Sequence, residues 1–187
     1  MRISFLPFLV LLILSGAASA GSADKHADSL KAPLNYPKPP ATAGRLFYVQ
    51  RTSNTNTIVY DINTGTDGKP DADNPVKAYW IRYAEKGQKE DLNYIQRKFA
   101  YGLTSKLLNN GSYDIRFVSY KKFPLTLMKA SDGKYHIFAF ISQKQIILNS
   151  VFVKIEGGSF WFPNVVYVEV NGTDPQTGRE MIERFKP

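Results

Sequence analysis

The sequence predicts a mostly β fold: an antiparallel meander forming a barrel or sandwich, with one short helix at about residues 91–101. Three observations carry this. Nine short runs alternate apolar or aromatic with polar side chains, the period of a half-buried strand. Asn110-Gly111 and Asp132-Gly133 fall between consecutive runs, as expected of two-residue hairpin turns with positive φ. A single stretch follows the helical period instead: Leu92, Ile95, Phe99, Leu103 and Leu107 recur at three- and four-residue steps.

Taken in order, the chain opens with Met1-Arg2, an apolar run over 3–14, and Ala18-Ser19-Ala20. A positive flank, roughly a dozen apolar residues and an A-x-A exit are the parts of a secretory signal peptide, expected over 1–20. A membrane anchor would need roughly 20 apolar residues, so no integral membrane segment is expected after cleavage. Residues 21–44 hold Pro33, Pro37, Pro39 and Pro40 without an apolar period. Proline removes backbone donors and stiffens the chain, so this segment reads as a disordered tether.

A single β-rich domain is expected over 45–187. Its strands are read at 46–49, 57–62, 76–83, 113–120, 125–130, 135–141, 146–155, 165–170 and 180–185. Within the helix, Glu90 or Asp91 is the expected cap, and Gly102 the expected left-handed stop. Residues 103–109 can instead form the first arm of the Asn110-Gly111 hairpin, and Gln143-Lys144 reads as a further tight reversal.

Composition removes several function classes. The 187 residues include no cysteine, which excludes a disulfide framework, cysteine-ligated metal and a cysteine nucleophile. With 43% hydrophobic and 13% aromatic residues the chain can bury a real core. The positive charge is regional, with fourteen basic and five acidic side chains in 77–154. No block of five like charges appears, so solvated strand faces are the expected use and no nucleic-acid partner is expected.

No motif names a reaction. His136 is the only histidine in the predicted domain, and a serine triad needs one oriented by a carboxylate beside a serine. Glu156, Glu169, Glu180 and Glu183 could supply a glycosidase pair, but none of their spacings singles one out. Asp61 to Asn74 is rich in oxygen side chains, yet in the spacing of a calcium loop it lacks the twelfth-position glutamate. Gly157-Gly158 has no following lysine and reads as a strand connection rather than a phosphate loop. No catalytic residue, metal or cofactor is expected.

Arg51, Asn54 and Asn56 are the most distinctive polar group. A guanidinium fork recognises a carboxylate or phosphate, and two amides add directed donors and acceptors. The alternative is an arginine bonded to carbonyls and two asparagines shaping a reversal. Trp80, Arg97 and Tyr101 lie where they can complete an aromatic floor with a cationic rim. These six residues form the candidate binding site.

The run Arg51-x-x-Asn54-x-Asn56, the Tyr79-Trp80 pair and Tyr101-Gly102-Leu103 resemble the exported family called domain of unknown function 4833, over roughly 45–187. The resemblance implies a shared architecture and brings no activity, so no catalytic role transfers. The resulting expectation is an exported protein, periplasmic or extracellular, that binds a small molecule or an anionic envelope component. Its rivals are a hydrolase acting on an envelope glycan or other polymer, and a structural envelope protein.

Overall fold

The computed structural model describes residues 36–159 and 162–187. The expected signal peptide and the first part of the tether lie outside the described residues. Strands β1 (Arg45–Arg51), β2 (Asn54–Ile62), β3 (Val76–Ile81) and β4 (Lys89–Asp91) precede helix α1 (Tyr94–Phe99). After it come β5 (Leu103–Leu107), β6 (Tyr113–Phe117), β7 (Leu125–Lys129), β8 (Tyr135–Ile141), β9 (Lys144–Gly158), β10 (Pro163–Thr173) and β11 (Glu180–Phe185). The fold is mostly β with one short helix, and the sheet curls into a half-barrel.

The organising element is β9. Ile147 pairs with Phe138 of β8 and with Thr173 of β10. Three residues on, Ser150 pairs with Tyr48 of β1 and with Asn171 of β10. A residue's two ladder partners lie on opposite edges, so β8 and β1 share one edge of β9 and β10 holds the other. The sheet therefore forks. One arm is β1-β2-β3-β4, the other β8-β7-β6-β5, and β10 with β11 extends the stem.

This corrects the expectation of one antiparallel meander, because β1 pairs with β9 in parallel. Two meanders are joined by that pairing, and the long connection between them supplies the crossover that parallel neighbours need.

Alternation places the core. Phe47 pairs with Tyr60, Val49 with Ile58, and Ile58 with Trp80, so these side chains share the concave face. Tyr113, Leu127 and Ile137 line up across the second arm, with Ile146, Leu148, Val151 and Val170 from the stem, all buried. The arms meet where the Phe117 ring stands edge-on to both Phe47 and Tyr60, at 6.0 Å from each. Tyr60 Oη donates to the Tyr101 carbonyl at 2.8 Å. Burial pushes the Tyr60 phenol far above its usual range, so it stays a neutral donor.

The helix is shorter than the expected 91–101. Residues 89–91 are taken by β4, and Asn93 caps instead of Glu90 or Asp91, in a reciprocal capping box with Gln96. Its apolar period did not mark a core face: Leu92 is buried, but Ile95, Phe99 and Leu107 are exposed. The turns are also one residue longer than expected. Leu108 N–H donates to the Ser112 carbonyl and Ala130 N–H to the Lys134 carbonyl, closing three-residue connections. Gly111 and Gly133 take the left-handed position in them, with φ of 81° and 78°. The two-residue reversal after β8 is Ser142-Gln143, both at positive φ, rather than Gln143-Lys144. Strand β9 runs through Gly157-Gly158 instead of stopping before them.

On the convex face, Gln50, Thr57, Val59 and Ile81 are buried although they point away from the core. Residues 36–40, within the expected 21–44 tether segment, cross this face. Gln50 Nε2 donates to the Pro37 carbonyl at 2.9 Å and to Thr57 Oγ1 at 3.0 Å. Tyr83 Oη reaches the Lys38 carbonyl, Pro39 is buried, and the Tyr36 ring stands edge-on to Phe152 at 5.1 Å. A chain starting at Arg45 should therefore lose about 2 kcal/mol, the scale of exposing one buried valine, in urea unfolding against a chain starting at Tyr36. Equal midpoints would show that this roof contributes nothing. Among the described residues no helix is long and apolar enough to cross a membrane.

Candidate functional site

Arg51 ends β1, and the alternation that turns Phe47 and Val49 inward brings it to the same concave face. Its parallel ladder partner is Val153, an apolar residue packed on the core. The Arg51 Nε atom is buried and has no hydrogen-bond partner among the described residues. Its guanidinium carbon lies 5.9 Å from the centre of the Tyr101 ring.

Tyr101 follows α1, where its N–H still donates to the Gln96 carbonyl at 2.8 Å. Burial pushes its phenol upward, and the positive charge of Arg51 and a side-chain hydrogen bond from its guanidinium pull against that, while Nε itself stays unpaired. The Tyr101 ring stands edge-on to Trp80 at 5.1 Å. Trp80 is 2% exposed and donates from Nε1 to Gln96 Oε1 at 3.2 Å. The same Gln96 oxygen accepts from the Asn93 N–H, so the helix cap also anchors the tryptophan.

Arg51, Tyr101 and Trp80 are thus brought together by β1, β3 and the end of the helix. Arg82 joins them, with its guanidinium 5.1 Å from the Trp80 ring centre and two hydrogen bonds to Glu90, at 2.8 and 2.6 Å. The sequence reading missed Arg82. The available signal was its place two residues beyond Trp80, on the same side of the strand direction.

The other candidates have different positions. Asn54 Oδ1 accepts from the Asn56 N–H at 2.8 Å, shaping the start of β2. Asn56 is buried and its Oδ1 accepts from the Ala84 N–H at 2.8 Å, tying β2 to the turn after β3. Arg97 is exposed on the helix, donates to the Leu92 carbonyl at 3.1 Å, and lines a separate cleft.

The possible catalytic groups are dispersed. His136 pairs with Asp132 at 2.9 Å on the exposed surface. Glu169 pairs with Arg184, Glu180 accepts from Asn171, and Glu183 accepts from Ser142. The acidic loop after β2 is a polar hairpin: Asp71 Oδ1 accepts from the Asp73 and Asn74 N–H groups. Among the described residues no cluster of three or more histidine or acidic side chains is placed to hold a metal.

Fold and site together define a curled β half-barrel with an arginine and aromatic cluster on its concave face. The chain belongs to the family described as Domain of unknown function (DUF4833), whose model matches residues 47–184. That span contains all of Arg51, Asn54, Asn56, Tyr79, Trp80, Tyr101, Gly102 and Leu103. No curated protein and no solved structure matches the chain.

Proposed function

We propose that this is an exported half-barrel that binds a small anionic molecule through Arg51. The observation that carries the reading is the buried, unpartnered Arg51 Nε on a concave face, beside the Tyr101 ring. A buried donor without a partner costs roughly 1–3 kcal/mol, and a carboxylate, sulfate or phosphate oxygen would remove that cost. Tyr101, only partly buried and backed by the buried Trp80, offers the apolar surface against which the body of a sugar or a headgroup packs. The signal-peptide features of residues 1–20 support export, and the regional positive charge suits an anionic envelope ligand.

The test is thermal stabilisation by sulfate, phosphate and sugar acids. One of these should raise the melting temperature of the wild-type protein, and Arg51→Ala should abolish that rise while melting within a few degrees of wild type. A large loss of stability in Arg51→Ala, with ligand response unchanged, would make Arg51 a structural corner and reject the reading.

A further inference from the structure

Two strand edges line a second cleft. Strand β4 covers only Tyr79, Trp80 and Ile81 of β3, so Val76, Lys77 and Ala78 have no ladder partner on that edge among the described residues. Strand β5 pairs with β6 and has no described partner on its other edge. Between them lies a cleft of about 260 Å³, bordered by Val76, Ala78, Leu92, Leu103, Asp91 and Arg97. Val76 and Leu92 are buried and give it an apolar floor.

Successive residues of a strand turn their N–H and C=O groups to opposite edges. At least one of the three unpaired β3 residues therefore presents a backbone donor and acceptor to the cleft. An extended peptide satisfies both by adding as a strand. The unpaired stretch spans roughly 10 Å, enough for about three residues.

The gap is also bridged at both ends. Ser105 Oγ donates to the Asp73 carbonyl at 3.2 Å at one end, and the helix links Leu92 to Gly102 at the other. A strand cannot run through it, but a chain end can enter. At the helix end stands Arg97, with one N–H committed to the Leu92 carbonyl and the rest of its fork available for a carboxylate. Asp91 is the one acidic side chain in the wall, and it offers an acceptor to a peptide N–H.

We propose that this cleft captures the free C-terminus of a short extended peptide, with the β3 edge pairing its backbone, Arg97 holding its carboxylate and the Val76–Leu92 floor taking its last side chain. The site is distinct from the Arg51 cluster.

The experiment uses a fluorescein-labelled tetrapeptide pool with an apolar last residue, read by fluorescence polarisation against the full protein. The pool with free carboxylates should bind, and the same pool with C-terminal amides should bind at least tenfold more weakly. Arg97→Ala should cost a similar factor and Arg97→Lys less, while Arg51→Ala should leave peptide binding unchanged. In amide NMR spectra the residues that shift should include Val76, Lys77 and Ala78. Absence of binding, equal binding of acid and amide pools, or full affinity in Arg97→Ala would each overturn the proposal. Loss of peptide binding in Arg51→Ala, with shifts centred on Tyr101, would move the ligand to the other site and equally reject this one.

Discussion

Replacing Trp80 by alanine is expected to destabilise the protein by about 3–5 kcal/mol, the range for removing a buried aromatic side chain. For a chain of this size that corresponds to a fall of roughly 6–20 °C in melting temperature. The reason is the number of elements that meet on this ring. Trp80 sits opposite Ile58 in the ladder between β2 and β3, both almost fully buried, and its edge-on contact with Tyr101 brings in the segment after the helix. Its Nε1 hydrogen bond reaches the residue that completes the capping box. Alanine leaves a cavity and also an unattached helix start. Trp80→Phe keeps most of the apolar contact and loses the hydrogen bond, so it should cost about 1–2 kcal/mol beyond the smaller ring's packing loss. Urea unfolding of the two variants checks this. A loss under about 1 kcal/mol for Trp80→Ala would remove the ring from the core.

The parts of this fold that were legible in the sequence are those where local pattern and burial coincide. Phe47 and Val49, Ile58 and Tyr60, and Ile137, Ala139 and Ile141 alternate with the pleat and are buried as that period requires. Long-range partnership was not legible. Tyr48 pairs with Ser150 about a hundred residues away, and nothing in either segment specifies a parallel neighbour. Strand β4 is Lys89-Glu90-Asp91, three exposed charged residues paired with β3, so it carries no apolar signal.

Helical periodicity misled for a related reason. Spacing reports a face but not whether anything covers it, and here Leu92 alone of its run is deeply buried. Within the site, Arg51, Trp80 and Tyr101 stood out through an arginine at a strand end and through the family pattern. Asn56 carried the same signal but serves the Ala84 N–H. Residue type showed its hydrogen-bonding capacity; only the fold shows where that capacity is used.

Gly102→Ala should cost about 3 kcal/mol, the upper part of the usual range for overpacking, and the cause differs from the left-handed stop expected from the sequence. Gly102 is not among the positive-φ residues. A Cβ built there would lie 1.8 Å from the Arg97 carbonyl oxygen and 2.8 Å from its carbon, both backbone atoms of the helix. Ala100 and Tyr101 both donate to the Gln96 carbonyl, which folds the chain tightly back over the last turn. The Gly102 carbonyl then accepts from Val118 N–H at 3.0 Å, fixing the entry to β5. The chain is held on both sides, so a methyl group must push either the helix end or the β5–β6 ladder. The two explanations separate with asparagine, which tolerates left-handed backbone better than alanine does. If conformation were the constraint, Gly102→Asn would be clearly more stable than Gly102→Ala. Close approach predicts that asparagine is no better, since its Cβ meets the same oxygen. Gly111→Ala serves as the comparison, because that residue has positive φ and open space around its Cβ, and it should lose only about 1–2 kcal/mol. A Gly102→Ala variant no less stable than Gly111→Ala, or rescued by asparagine, would reject the steric account.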